Sequence, residues 1–197
     1  MNDLAPRNNR DEQRDLFAQL MEGHQRFLAG DPTPKTYPFL GTLAAVQKPV
    51  ATVLSCSDSR VSPELVFDQG FGDLFVVRSA GHTVDGLTLG SLEFAVEMVN
   101  SPLLIIMGHE DCRAVHAALT NAAVDTANIR QIVEIVKPSL AGMSESTDLN
   151  EAVKAHVRAT AQVVLEQSPA IKQRVGQKDL KLVKLFYHVA TGEIEVL

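Results

Sequence analysis

Three short apolar runs, Val50–Ser55, Leu74–Val77 and Leu103–Met107, constrain the fold of this chain more than anything else in it. Each is nearly continuous in apolar residues instead of alternating apolar with polar. A strand reads that way when both of its faces are covered, as in a parallel sheet between helices. A fourth run, Leu180–Val189, follows much later. Helical periodicity fills the gaps. Leu87–Val99 lies between the second and third runs and is ended by Asn100-Ser101-Pro102. Arg113–Leu119, Ala127–Val136 and Leu149–Leu165 follow the third, and Asp148 with Glu151 has the spacing of a capping box. This alternation predicts an α/β fold, a mostly parallel β-sheet flanked by helices and joined by right-handed crossovers. Thr191-Gly192 predicts a turn into a last strand at Glu193–Val196, antiparallel at an edge near the C-terminus.

With 197 residues, 45% of them hydrophobic, the chain suits one domain spanning 1–197. Its first part, 1–48, reads as an N-terminal helix and arm. From Asp11 to Ala29, Leu16, Leu20, His24 and Phe27 form one stripe, broadened by Phe17, Met21 and Leu28. Gly30-Asp31-Pro32 stops that helix, and Pro32, Pro34 and Pro38 make residues 31–48 an extended arm. Such an element packs on its own domain or on a partner subunit.

Strand ends are where open α/β sheets bind ligands. Cys56 directly follows the first run, His109 directly follows the third, and Cys112 opens the next helix. The only two cysteines of the chain are therefore predicted to converge on one edge of the sheet. Two thiolates and one imidazole suit tetrahedral zinc, and three protein ligands leave a fourth position open, as in catalytic sites. The N-terminus of the helix after Cys112 favours its thiolate form. Two buried free thiols are the plainer alternative. Beside the first cysteine runs Cys56-Ser57-Asp58-Ser59-Arg60. An arginine fork on Asp58 would keep the carboxylate ionised and fixed in direction.

Other classes fit less well. The net charge is −6 and no stretch concentrates Lys and Arg, which argues against nucleic acid as a partner. The opening MNDLAPRNNRDEQRD lacks the apolar core of a secretory signal, and the most apolar run, Leu103–Met107, is too short to span a bilayer. These features predict a cytoplasmic protein with no membrane partner, in which two cysteines serve as free thiols or ligands and not as a disulfide. Gly70-Phe71-Gly72 precedes a strand and does not open a helix, so it fails the dinucleotide-binding context.

With these residues assembled, the chain resembles the β-class carbonic anhydrases. The likeness rests on SCSDSRVSPELVFDQGFGDLFVVRSAGH (Ser55 to His82), on GHEDC (Gly108 to Cys112), on the intervening SLEFAV helix and on the ending YHVATGEIEVL. The resemblance implies reversible hydration of carbon dioxide to bicarbonate and a proton by zinc-hydroxide attack, with one zinc per chain. It implies Cys56, His109 and Cys112 as zinc ligands, and Asp58 with Arg60 as a catalytic dyad. It also implies a homodimer or a larger dimer-based assembly embraced by the N-terminal helix. Gln47 would line the cleft across the dimer interface, and Phe75 and Phe94 match aromatic cleft positions. Arg113 stands where the family usually has glycine, whose N–H faces bound substrate; that donor survives if the local φ is negative. Two alternatives follow: hydrolysis of carbon disulfide or carbonyl sulfide on the same scaffold, and a non-catalytic zinc-binding relative because of Arg113. His24, His82, His116, His156 and His188 read as structural or surface groups, with no evident proton shuttle among them.

Overall fold

The computed structural model describes residues 10–33 and 47–197. Five strands form one sheet: β1 (Ala51–Cys56), β2 (Leu74–Ser79), β3 (Leu103–His109), β4 (Lys181–Tyr187) and β5 (Ile194–Val196). Their spatial order is β2-β1-β3-β4-β5. The β1–β2, β1–β3 and β3–β4 pairs are parallel, and β5 runs antiparallel on the outside of β4. The sheet is thus the one the alternation predicts. Strands β1, β2 and β3 reach one or two residues beyond their apolar runs, to Cys56, Ser79 and His109. Ladder bonds are made by the backbone and continue into polar residues that hydropathy excludes.

Although the runs look continuous, their faces alternate. Leu54, Leu104 and Ile106 join one core with Leu92, Val115, Val133, Val153 and Val157. Val53, Leu103, Ile105 and Met107 join another with Leu20, Val66 and Phe67. The first core lies under α3 (Gly86–Glu93), α4 (Arg113–Leu119), α5 (Ala127–Val136) and α6 (Leu149–Gln167); the second lies under α1 (Arg10–Leu28) and α2 (Pro63–Val66). One further helix, α7 (Pro169–Gln177), follows α6 directly. The short α2 and α7 escape periodicity. Ser168-Pro169 looks like a breaker, yet Ser168 ends α6 and its hydroxyl accepts from the Ile171 N–H, while Pro169 supplies the fixed φ of a first helical turn.

The stripe of α1 packs on its own sheet. Leu20 is buried, the ring of His24 donates from Nδ1 to the Val66 carbonyl at 3.0 Å, and Arg26 pairs with the buried Asp68 at 2.7 Å. Pro34 and Pro38 of the arm lie outside the described residues. The helix after β2 changes character part-way, passing from α3 into a π-helical turn, Phe94–Met98, in which the Val99 N–H donates to the Phe94 carbonyl.

Topology decides where a site can form. From β1 the chain moves outward to β2, then returns across β1 to β3 and continues to β4 on the other side. The order therefore reverses between β1 and β3, and the crevice at the carboxyl ends of these two strands is where such sheets bind ligands.

Candidate metal centre

That crevice holds Cys56 as the last residue of β1, His109 as the last of β3, and Cys112 as the N-cap of α4. All three are buried, and their ligand atoms lie within 4.8 Å of one another. The imidazole is already set for coordination. Its Nδ1 lies 2.8 Å from the Glu110 carbonyl, which can only accept, so Nδ1 carries the proton. Nε2 is left with a free lone pair, buried and without a hydrogen-bond partner. A buried orphan acceptor beside two sulfurs is costly unless something binds there. Two sulfurs and one imidazole are donors for zinc, and the set fits that ion.

Electrostatics agree. The Cys112 thiol donates toward Cys56 and holds the Cys56 thiol well below its ordinary pKa, aided by His109 and by the backbone N–H groups of Gly81 and Asp58, against burial. Cys112 is pushed up by the same contact and by burial. Backbone N–H groups reach both sulfurs, those of Gly81 and Asp58 at Cys56 and those of Val115 and Ala114 at Cys112. For His109, burial opposes a charged ring, but the Cys56 sulfur close by, the Glu110 carbonyl and Asp58 raise its pKa overall.

Asp58 borders the cluster, with Oδ2 3.9 Å from His109 Nε2. Arg60 grips it as a fork, Nε to Oδ1 at 3.0 Å and Nη2 to Oδ2 at 2.8 Å, while the Arg60 N–H adds a 2.9 Å bond to Oδ1. The guanidinium holds the carboxyl well below the usual carboxylate range. It also reaches Asp111 at 3.5 Å. A second arginine, which sequence reasoning passed over, secures the loop from behind. Arg78 donates to the carbonyls of Cys56 (2.9 Å), Asp58 (2.6 Å) and Val61 (2.8 Å). The signal was present in the VVRSAGH segment, but no spacing rule announces an arginine that binds carbonyls 17 to 22 residues away.

Comparison with known proteins agrees with this geometry. A family profile described as carbonic anhydrase matches residues 51–194. The chain belongs to the β-carbonic anhydrase family. Carbonic anhydrase 2 of Mycobacterium tuberculosis is 40% identical over 180 residues, covering 88% of this chain and 87% of that protein. A carbonic anhydrase of Mycolicibacterium smegmatis is 40% identical over 190 residues, covering 90% and 89%. Among solved structures, the β-carbonic anhydrase CcaA superposes with a TM-score of 0.71 at 25% identity, covering 91% of this chain and 94% of that one.

Of the remaining positions expected from the β-carbonic anhydrase resemblance, Arg113 adjoins Cys112 and Phe75 lies away from the cluster within one chain. Phe75 pairs with Thr52, four residues before the level of Cys56 and Ser79, which is about 13 Å along the strand. It faces Phe94 at a ring separation of 6.4 Å, and Phe94 is 51% exposed. Gln47 is exposed. Arg113 is the first residue of α4 with an exposed side chain, and its φ is not positive; the left-handed residue of this turn is Asp111, at φ 55°. The N–H at position 113 is therefore retained in a helical geometry. Among the expected structural histidines, His82 and His156 are buried side by side, with ring centroids 4.5 Å apart.

Proposed function

We propose that Cys56, His109 and Cys112 hold one zinc ion per chain and that Asp58 and Arg60 work beside it. The reaction is the reversible hydration of carbon dioxide to bicarbonate and a proton. One observation carries the reading: sulfurs 56 residues apart in sequence meet an imidazole whose Nε2 has no other partner. Zinc bound there supplies a Lewis acid that makes water nucleophilic near neutral pH.

The protein's own groups do the rest. Asp58, ionised and acceptor-only, takes a hydrogen bond from the reacting water and fixes the direction of its lone pair. Arg60 keeps that carboxylate from rotating or protonating. The Arg113 N–H, at the start of α4, is a donor for a product oxygen. Carbon dioxide is small and uncharged, so an apolar wall suffices to seat it.

Gln47, Phe75 and Phe94 supply that wall and a polar contact from a second copy of the chain. Leu87, Phe94 and Met98 are exposed apolar residues along α3 and its π-turn, which supports burial against a partner in a homodimer or a larger assembly of dimers. Solved tetrameric β-carbonic anhydrases from Sordaria macrospora share the fold with a TM-score of 0.74. The α1 helix and its arm, within residues 1–48 of the single domain, extend that contact. No helix among the described residues is long and apolar enough to cross a membrane. Two unpaired thiols suit the reducing cytoplasm.

Stopped-flow hydration of carbon dioxide by metal-analysed protein tests the reading. Fast turnover with one zinc per chain is expected, together with loss of zinc in Cys112→Ser. Full zinc occupancy in that variant refutes the ligand set. Inertness toward carbon dioxide alongside turnover of carbon disulfide or carbonyl sulfide refutes the substrate. Sedimentation of Phe94→Asp checks the assembly; an unchanged oligomer removes the α3 surface from it.

A further inference from the structure

A hydrogen-bonded chain runs from the Cys56 sulfur into the interior. The sulfur accepts from the Gly81 N–H at 3.2 Å. The Gly81 carbonyl faces His156 Nε2 at 2.9 Å, and His156 Nδ1 lies 2.8 Å from the Ser139 hydroxyl. A carbonyl only accepts, so Nε2 carries the ring proton. The Ser139 hydroxyl, which also reaches the Val136 carbonyl, closes the other end of the ring. Both ring nitrogens are therefore occupied, and the orientation of the imidazole is fixed.

Gly81 links the two ends of this chain through its own N–H and carbonyl. Its φ of 66° lies in the left-handed region, and an added Cβ would meet Ala114 Cβ at 2.8 Å. The residue thus sits in a narrow slot between Cys56 and the first turn of α4, two residues beyond Cys112. Glycine has little conformational preference of its own, so its N–H direction has to be imposed from outside. The external contact that grips its carbonyl is His156, on α6.

We propose that His156 is a positioning residue for the Cys56 metal ligand, holding the Gly81 turn so that its N–H stays aimed at the sulfur. It touches neither substrate nor metal and acts through one glycine. Groups that orient a ligand in this way tune how firmly the metal is held. The assignment rests on the ligand set proposed above. The tilted ring of His82 lies against His156, with centroids 4.5 Å apart.

Two substitutions separate hydrogen bonding from packing. His156→Gln places an amide N–H near the Nε2 position, whereas His156→Leu fills similar volume with no donor. The readouts are the rate at which zinc passes to a chelator and the thiolate-to-cobalt absorption band of the cobalt-substituted protein. Thermal melting confirms that each variant is folded. His156→Leu is expected to release zinc about 10-fold faster or more, with a shifted cobalt band; His156→Gln is expected to stay close to the unsubstituted protein. Indistinguishable Gln and Leu variants overturn the assignment. If His156→Leu does not fold, Ser139→Ala carries the same test by freeing the ring to turn, and unchanged zinc release there overturns it too. Cys56→Ser keeps the two failures apart. If that variant retains zinc, the ligand set itself is wrong; if it is metal-free while both His156 variants behave as the unsubstituted protein, only the role of His156 falls.

Discussion

Gly108, one residue before His109, is the tightest point between the site and the helix that supports it. An added Cβ would lie 2.5 Å from Val157 Cγ2 and 2.8 Å from Val153 Cγ1, with His82 Cε1 at 3.4 Å. Carbon atoms normally pack at about 3.5–4.0 Å. Both valines are buried on α6, and a β-branched side chain in a helix has one strongly preferred rotamer, so neither can swing aside. Gly108→Ala must push α6 away from β3. The backbone is not left-handed here, so packing alone sets the cost. Overpacking typically costs about 1–3 kcal/mol, and two stiff neighbours put this case near 3 kcal/mol. At this chain length that lowers the melting midpoint by about 6–12 °C. Val157→Ala by itself leaves a cavity costing about 1–2 kcal/mol, yet it removes the nearer clash. The double variant should then be more stable than the sum of the single effects by at least about 1 kcal/mol. Calorimetric melting of the four zinc-loaded proteins completes the cycle. A Gly108→Ala midpoint within about 2 °C of the unsubstituted protein, or a coupling below about 0.5 kcal/mol, refutes the close approach.

Three further expectations concern the site. Asp58→Ala should keep its zinc and lose about 10²-fold in hydration, because the reacting water is no longer oriented; unchanged turnover removes Asp58 from the mechanism. Arg78→Met forfeits three charge-assisted bonds to the Cys56–Val61 loop and should cost about 2–4 kcal/mol of stability after allowance for solvent, read by urea denaturation; a midpoint equal to that of the unsubstituted protein denies the clamp. Burial lowers the pKa of His156 to about 4 and that of His82 well below its ordinary value. Below about pH 6.5 the unfolded chain takes up protons that the native state refuses, so this stability is present above that pH and lost as pH falls toward 4. His156 accounts for something on the order of 3 kcal/mol of it. His156→Gln should flatten the stability profile across that window, and parallel profiles would contradict the assignment.

The sequence by itself determined the sheet, its covered faces and the meeting of Cys56, His109 and Cys112 at one edge, because these follow from local rules. Apolar runs mark buried strands, 3.6-residue periodicity marks helices, and Cys56, His109 and Cys112 each fall where a strand ends or a helix begins. The Asp58–Arg60 fork was also legible, since its members are two residues apart and a turn must bring them together. Tertiary structure alone decided the supports. Arg78 reaches carbonyls on a neighbouring segment, and His156 grips a glycine 75 residues away. It also placed Phe75 opposite Thr52, four residues along the strand from Cys56. Hydropathy and spacing record what a residue does for its own segment. They do not record which distant backbone group a side chain will find once the sheet and helices are packed.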